Sequence, residues 1–520
     1  MSYFLILILL LLLGTGAAAI LLYFRPQYAP GTLLATAALL LVLWFPVRLA
    51  LSTTPAVRQG EIGTLPSWSW YMSDAGWWLG LALILLLCGG ALLEWVRRDR
   101  DALSLQAVLL SLLLVGTTLL AATADSLATL LAGWLLLDGI WFVLLFVSST
   151  RVADRSAAWV HFLFPGATLF LLWLAALTLP EVSGNIGLDV HGWPALTRSL
   201  LLLAALIQIG AFPFHFWRPL SRSLSPLLAL LLHTTPAVAG AALLVRVEAA
   251  TDITLAFALP LTLVALLGML WSANAAWQHS DDRPRMAALL GVGQAGLVLL
   301  AGTWAGPDAI LAEARVLLLA GGVLLVAAQL TGTDLLARLG PLLALAALAG
   351  LPLTAGFAGR TAVYDAWLDG GRWLLVLVTA LLHVPYIAAV LLLVWDKPPV
   401  ALRRPQSGPA LVTTVALLLP ALGLLTFSDL AGASIIAWFA VLLPAGAAML
   451  LVYYLEETDA ARQTVREALS LPFDSRPYLR SLYNAVRAVP LALREAIAIL
   501  EGERGLLWLL LFLLLIWLVR

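Results

Sequence analysis

The sequence predicts an all-α polytopic membrane protein, a bundle of about 14–15 transmembrane helices, and three observations carry that expectation. Apolar residues (AVILMFWYC) make up 62% of the 520 positions, whereas Asp, Glu, Lys and Arg together supply only 11%. A soluble domain normally carries about 25% charged residues, so water is not the solvent for most of this surface. The mean hydropathy is +1.00, and apolar runs recur from end to end instead of gathering in one stretch.

A span needs about twenty apolar residues. Runs of that kind fall at 3–23, 31–52, 74–96, 103–123, 125–148, 157–179, 195–215 and 223–247, and continue at 253–278, 285–305, 308–330, 338–358, 372–396, 408–427 and 431–455. The first lacks the basic region and small-residue cleavage site of a signal peptide, and is read as a retained span. Arg97, Arg98, Arg100, Arg151 and Arg155 fall in loops that share a side, which turns the N-terminus away from the cytoplasm. Arg48, Arg58 and Arg198, on the other side, weaken that asymmetry. Between Glu456 and Arg504, Leu479, Leu482, Tyr483, Val486, Val489 and Leu493 recur at helical spacing. This suits an amphipathic arm along a membrane face or a neighbouring subunit, interrupted by Pro472, Pro477 and Pro490. Gly505 to Val519 is a short apolar tail at the lower limit for a span.

Composition also excludes functions. Lys and Arg number 29 against 29 Asp and Glu, and no basic tract is long enough to follow a phosphate backbone, so nucleic acid is not a partner. The single cysteine, Cys88, forms no disulfide framework or cysteine metal site. No His-Glu-x-x-His, Gly-x-Ser-x-Gly or dinucleotide fingerprint is present, so no catalytic site and no cofactor is expected in this chain.

Charge at the bilayer centre costs on the order of 2.5–3.5 kcal/mol even on lenient scales, which makes buried ionisable groups the first candidates for function. Asp138 lies well inside its apolar run. Glu313 and Arg315 are either a pair at a span end or the charged midpoint of a helix that begins earlier. Arg360 follows a Gly- and Pro-rich segment able to unwind a helix, tolerated at membrane depth only where protein or a wet cavity surrounds it. His215 follows Phe-Pro-Phe, His233 follows a leucine run, and His383 lies near the middle of its span. Imidazoles titrate near neutral pH and suit a proton relay, although a buried one also serves as a neutral hydrogen-bond partner.

The segment Ala211-Phe-Pro-Phe-His-Phe-Trp-Arg-Pro219, with His233 eighteen residues after His215, resembles the large antiporter-like membrane subunits of respiratory complex I. The same family includes Mrp-type cation/proton antiporter and membrane-bound hydrogenase subunits. Its pattern reads Lys-Ser-Ala-Gln-Phe-Pro-Phe-His-x-Trp-Leu-Pro. Gln278 to Asp282 with Arg285, Ala288, Gln294 and Gly296 resembles a second block, and Gly350-Leu-Pro-Leu-Thr-Ala-Gly-Phe-Ala-Gly-Arg360 a third. Ala124-Asp-Ser-Leu with Gly133 and Trp134 is a weaker fourth. The resemblance implies two inverted five-helix repeats, each with a discontinuous helix, and a mid-plane proton path. On that reading 1–102 are N-terminal helices, 103–250 and 251–400 the two repeats, 401–455 C-terminal helices, and 456–520 the arm and terminal helix.

The departures define the candidate ion pathway of Asp138, Gln208, His215, His233, Glu313, Arg315, Arg360 and His383. The family's Trp-Glu glutamate falls on Leu135, with Asp138 one turn on as a substitute from roughly the same face. Family lysines fall on Gln208, on Pro284, near Arg315 and on Arg360. A buried lysine can shed its proton, but arginine stays protonated and glutamine does not ionise. The resemblance therefore implies an antiporter-like subunit moving protons or sodium ions, among other membrane subunits in a prokaryotic cytoplasmic membrane. Asp138 would be its gate, His215 and His233 its relay, and Arg315 and Arg360 fixed charges. A non-pumping scaffold with a degenerate channel is the alternative. A membrane subunit of an inorganic-carbon or anion uptake system is another.

Overall fold

The computed structural model describes residues 28–53, 72–97, 104–148, 152–179, 194–218, 224–250, 255–330, 336–395, 407–426 and 433–457, with short pieces at 15–16, 19–20, 23–25 and 70. In chain order the helices are α1 (Ala29–Thr53), α2 (Asp74–Arg97), α3 (Leu105–Ala122), α4 (Leu127–Ser148), α5 (Val152–Leu177), α6 (Ala195–Ile209), α7 (Pro226–Ala250) and α8 (Leu255–Gln278). They continue as α9 (Arg283–Trp304), α10 (Pro307–Arg315), α11 (Gly321–Ala327), α12 (Leu339–Ala349), α13 (Ala355–Asp369), α14 (Trp373–Trp395), α15 (Ser407–Leu422) and α16 (Ile435–Glu457). A π-helical turn, Val316–Ala320, joins α10 to α11 in one continuous span. Among the described residues, eight helices are long and apolar enough to cross a membrane, and six shorter apolar helices of 10–17 residues accompany them. The protein is an integral membrane helix bundle. The expected first span, amphipathic arm and terminal tail lie outside the described residues, apart from the short pieces before residue 26.

Helix starts follow local chemistry. Ser104 accepts from the Ala107 amide at 3.1 Å to open α3, and Thr354 accepts from Phe357 at 3.3 Å to open α13. Asp282 caps α9, and Pro284 lies in that helix's first turn, where a missing amide hydrogen costs nothing. The position aligned with a family lysine is thus used to begin a helix.

The interruptions fall where glycine permits them. α6 stops at Gly210 (φ 72°, ψ 38°) and α12 at Gly350 (φ 70°, ψ 38°), both in the left-handed region that side chains with a Cβ resist. After Gly210 the chain turns through a short 3-10 helix, His215–Trp217; after Gly350 it re-enters a helix at Ala355. The single span expected over 338–358 is therefore two helices, and the second runs on to Asp369. The loop after α15 closes over this second break, with Ala355 donating to Leu424 at 2.8 Å and Thr426 to Leu353 at 3.0 Å.

Packing sorts the helices by solvent. α7 and α9 are enclosed by protein along their apolar length. α16 keeps Ile435, Phe439, Leu443 and Leu450 exposed, a face that only lipid or another apolar surface can cover. Elsewhere, the Trp44 and Trp77 indoles donate to one another's backbone carbonyls at 3.1 and 3.2 Å respectively, clasping α1 to α2.

Candidate functional site

The eight predicted residues are all buried, in several groups rather than one. In the first group Gln208, at the end of α6, donates from Nε2 to Asp138 Oδ1 on α4 at 2.9 Å. The other carboxylate oxygen of Asp138 has no hydrogen-bond partner. Asp138 and Leu135 do not share a face. Leu135 is 61% exposed and Asp138 1%: the roughly 60° between positions three apart on a helix carries the side chain across the boundary between the outer and the protein-packed face of α4. The carboxylate thus faces protein, where a glutamate at 135 would face out of the bundle. Gly240 on α7 lets α6 approach closely: a Cβ there would lie 2.8 Å from the Ala205 carbonyl and 2.9 Å from Gln208 Cβ. Trp141, one turn past Asp138, donates its indole N–H to the Leu232 carbonyl at 2.9 Å, tying α4 to α7 beside His233.

The second group gathers around Glu313. Helix α10 begins at Pro307, so Glu313 and Arg315 are interior residues, not a span-end pair. Gln294 on α9 donates to Glu313 Oε2 at 2.6 Å, and Arg360 Nε on α13 lies 3.6 Å from Oε1. One turn beyond Arg360, the Tyr364 hydroxyl is 3.2 Å from His383 Nδ1 on α14. Two buried carboxylates, Asp138 and Glu313, are thus each bonded to a glutamine amide. Glu313 has a permanent cation beside it; among the described residues Asp138 has none.

Arg315 points elsewhere. Its guanidinium donates to the carbonyls of Gly423 at 2.5 Å and Leu425 at 3.3 Å and stacks over Trp78 at 4.4 Å. It therefore caps α15, whose last carbonyls lack helical partners and carry the negative end of the helix dipole. The same device recurs: Arg246 donates to Ala122 at the end of α3, Arg283 to Leu393 near the end of α14, and Arg218 to Ile209 at the end of α6. These arginines neutralise helix ends inside the bundle.

His215 begins the 3-10 turn and stacks against Phe212 and Trp271, with ring centroids 6.0 and 4.2 Å away. His233 donates from Nδ1 to the Ala229 carbonyl at 2.7 Å, and its ring lines a cavity with Arg218, Gly291, Leu317, Leu318 and Gly321. Sequence reasoning did not single out Arg218, Gln294 or Tyr364. Gln294 and Arg218 lay within the quoted segments, and Tyr364 one turn past a candidate; Gln294 and Tyr364 carry no charge to draw attention, whereas the charge of Arg218 is a legible signal.

Residues 124–384 match the family described as NADH:quinone oxidoreductase/Mrp antiporter, TM. The chain belongs to this family. NADH-quinone oxidoreductase subunit N of Rhodococcus opacus (strain B4) is 31% identical over 267 residues, 46% of this chain and 49% of that protein. NAD(P)H-quinone oxidoreductase subunit 2 of Prochlorococcus marinus (strain AS9601) is 29% identical over 334 residues, 57% of this chain and 64% of that one. The chain thus spans about half to two-thirds of the length of the curated relatives it matches. Among solved structures, a chain of the Mrp complex from Dietzia sp. DQ12-45-1b superposes with a TM-score of 0.71 at 19% identity, over 99% of this chain and 62% of that one. A chain of respiratory complex I from Thermus thermophilus with bound aureothin gives 0.61 at 22% identity, over 80% and 97%. These likenesses fix the fold of this antiporter-family member; its particular side chains need their own account.

Proposed function

We propose that this chain is an antiporter-like subunit of a multisubunit ion-translocating complex in a prokaryotic cytoplasmic membrane, moving protons or sodium ions in step with redox chemistry or cation exchange in its partners. The observation that carries this reading is the pair of carboxylates held at protein depth, Asp138 on Gln208 and Glu313 on Gln294. Buried ionisable groups are costly and mark ion routes in membrane proteins. Asp138, without a neighbouring cation, is the group whose charge can change. Glu313 is poised between Gln294 and Arg360, and the Tyr364–His383 contact continues the polar line on α13 and α14. Arg360 holds a fixed positive field, since a guanidinium does not release its proton. His215 and His233 supply titratable nitrogens near the first break.

One observation favours a second reading, a non-pumping scaffold: Gln208, aligned with a family lysine, is neutral and wholly buried at the end of α6. Ion flux decides between them. The complex containing this chain is reconstituted in vesicles, and proton and sodium movement are followed with wild-type, Asp138→Asn and Glu313→Gln chains. Flux that disappears in either variant while assembly is retained supports the pathway. Undiminished coupled flux in both assigns the chain to scaffolding.

A further inference from the structure

Arg218 stands where the related pattern carries leucine, and it is buried with no carboxylate in ion-pair distance among the described residues. Its Nη2 donates to the Ile209 carbonyl at 2.6 Å, while Nε takes no hydrogen-bond partner. Nη1 lies against Gly291, close enough that a Cβ built there would be 2.6 Å away. Gly291 and Arg218 both line the cavity that His233 enters from α7, closed on another side by Leu317 and Leu318 of the π turn and by Gly321. The carbonyl end of α6 and the Trp217 ring, 5.7 Å from the guanidinium carbon, offset this charge in part, but no anion pairs with it among the described residues, and desolvation of a charge is costly unless it is paired.

We propose that this cavity binds a small monovalent anion of halide size, held by the Arg218 guanidinium. Its volume is about 20 Å³. A water-sized body needs roughly 10–15 Å³ of such space, so a single-atom ion fits. The walls are otherwise alanine, glycine and leucine, apart from Thr234, whose hydroxyl donates to Leu230 at 2.8 Å. His233 adds a condition. Its Nδ1 is committed to the Ala229 carbonyl, so the other ring nitrogen donates only when the imidazole is protonated. The ionisable groups lining the cavity are Arg218 and His233; His215 begins the turn that carries Arg218, and Tyr386 lies on α14. Tyr386 is anchored by donating to Leu290 at 3.0 Å. The site does not depend on whether the bundle conducts protons.

The test is thermal unfolding of the purified full-length protein in detergent, titrated with sodium chloride or bromide against sodium gluconate at equal ionic strength. The expected result is a saturable, halide-specific stabilisation. Arg218→Gln raises the half-effect concentration by about tenfold or more, as befits loss of a charge-assisted contact. Gly321→Val fills the cavity yet retains the cation; a Cβ at this position meets only open space, so the fold survives and halide sensitivity falls. Arg372→Gln, over Trp304 and remote from the cavity, leaves the response unchanged. Stabilisation equal in gluconate and chloride, or a halide response that persists undiminished in Gly321→Val, overturns the proposal.

Discussion

Substituting Glu313 by glutamine removes the counter-charge of Arg360 while preserving side-chain volume. The two groups are 3.6 Å apart and buried, so at an effective dielectric of about 20 their attraction is roughly 4–5 kcal/mol. Removing one member of a buried pair costs about 3–5 kcal/mol, mostly through the charge left behind. The two single variants differ in how that charge can respond. In Glu313→Gln the stranded group is a guanidinium that cannot lose its proton; in Arg360→Met it is a carboxyl that can gain one and still accept from Gln294 at 2.6 Å. Glu313→Gln is therefore the more destabilising, and the double variant recovers about 2–3 kcal/mol of the summed single losses. Detergent-to-SDS unfolding monitored by tryptophan fluorescence measures all three. If Arg360→Met is the costlier single change, or the two losses simply add, the pair does not act as described.

Three further outcomes follow from the same contacts. Gly240→Ala forces a Cβ to within 2.9 Å of the α6 backbone and Gln208. It should destabilise the bundle by about 1–3 kcal/mol in SDS unfolding and perturb the Asp138 carboxyl stretch in infrared difference spectra. Arg315→Gln shortens the cap on α15 and loses the stacking on Trp78; a loss of about 1–3 kcal/mol, with hydrogen exchange rising around residues 423–425, is expected. Tyr364→Phe removes the 3.2 Å contact to His383. It should cost about 1 kcal/mol in stability, and the His383 ring resonances should shift without a change at His233.

Most of the helix positions are legible in the sequence because lipid imposes a simple rule, that backbone groups pair within each segment and side chains are apolar. The runs over 74–96, 125–148 and 372–396 accordingly match α2, α4 and α14 to within two residues. The breaks near 210 and 350 are also readable, since glycine beside proline in an apolar run has few other uses. What the pattern leaves open depends on partners distant in sequence. Glu313 and Arg315 are ambiguous until the helix start at Pro307 is known. Arg315 then proves to serve carbonyls more than a hundred residues later. The relation of Leu135 to Asp138 turns on which face of α4 meets protein, and with apolar residues all round that helix no periodicity reveals it. Gln294 is found only by its acid, because an uncharged amide carries no sign of its depth; Gln208 is reached only through its alignment with a family lysine.

The π turn at Val316–Ala320 interrupts one of the most enclosed parts of the bundle. A single inserted residue rotates everything after it by about 100° around the helix axis. Glu313 before the insertion is thereby phased toward α9 and α13, while Leu317, Leu318 and Gly321, within and just after it, are phased toward the void beside His233. One rod of the bundle thus addresses two chemically separate neighbourhoods. Moving the insertion a turn toward the N-terminus would re-phase Glu313 against the cavity-lining residues, so the position of this turn sets the angle between the two.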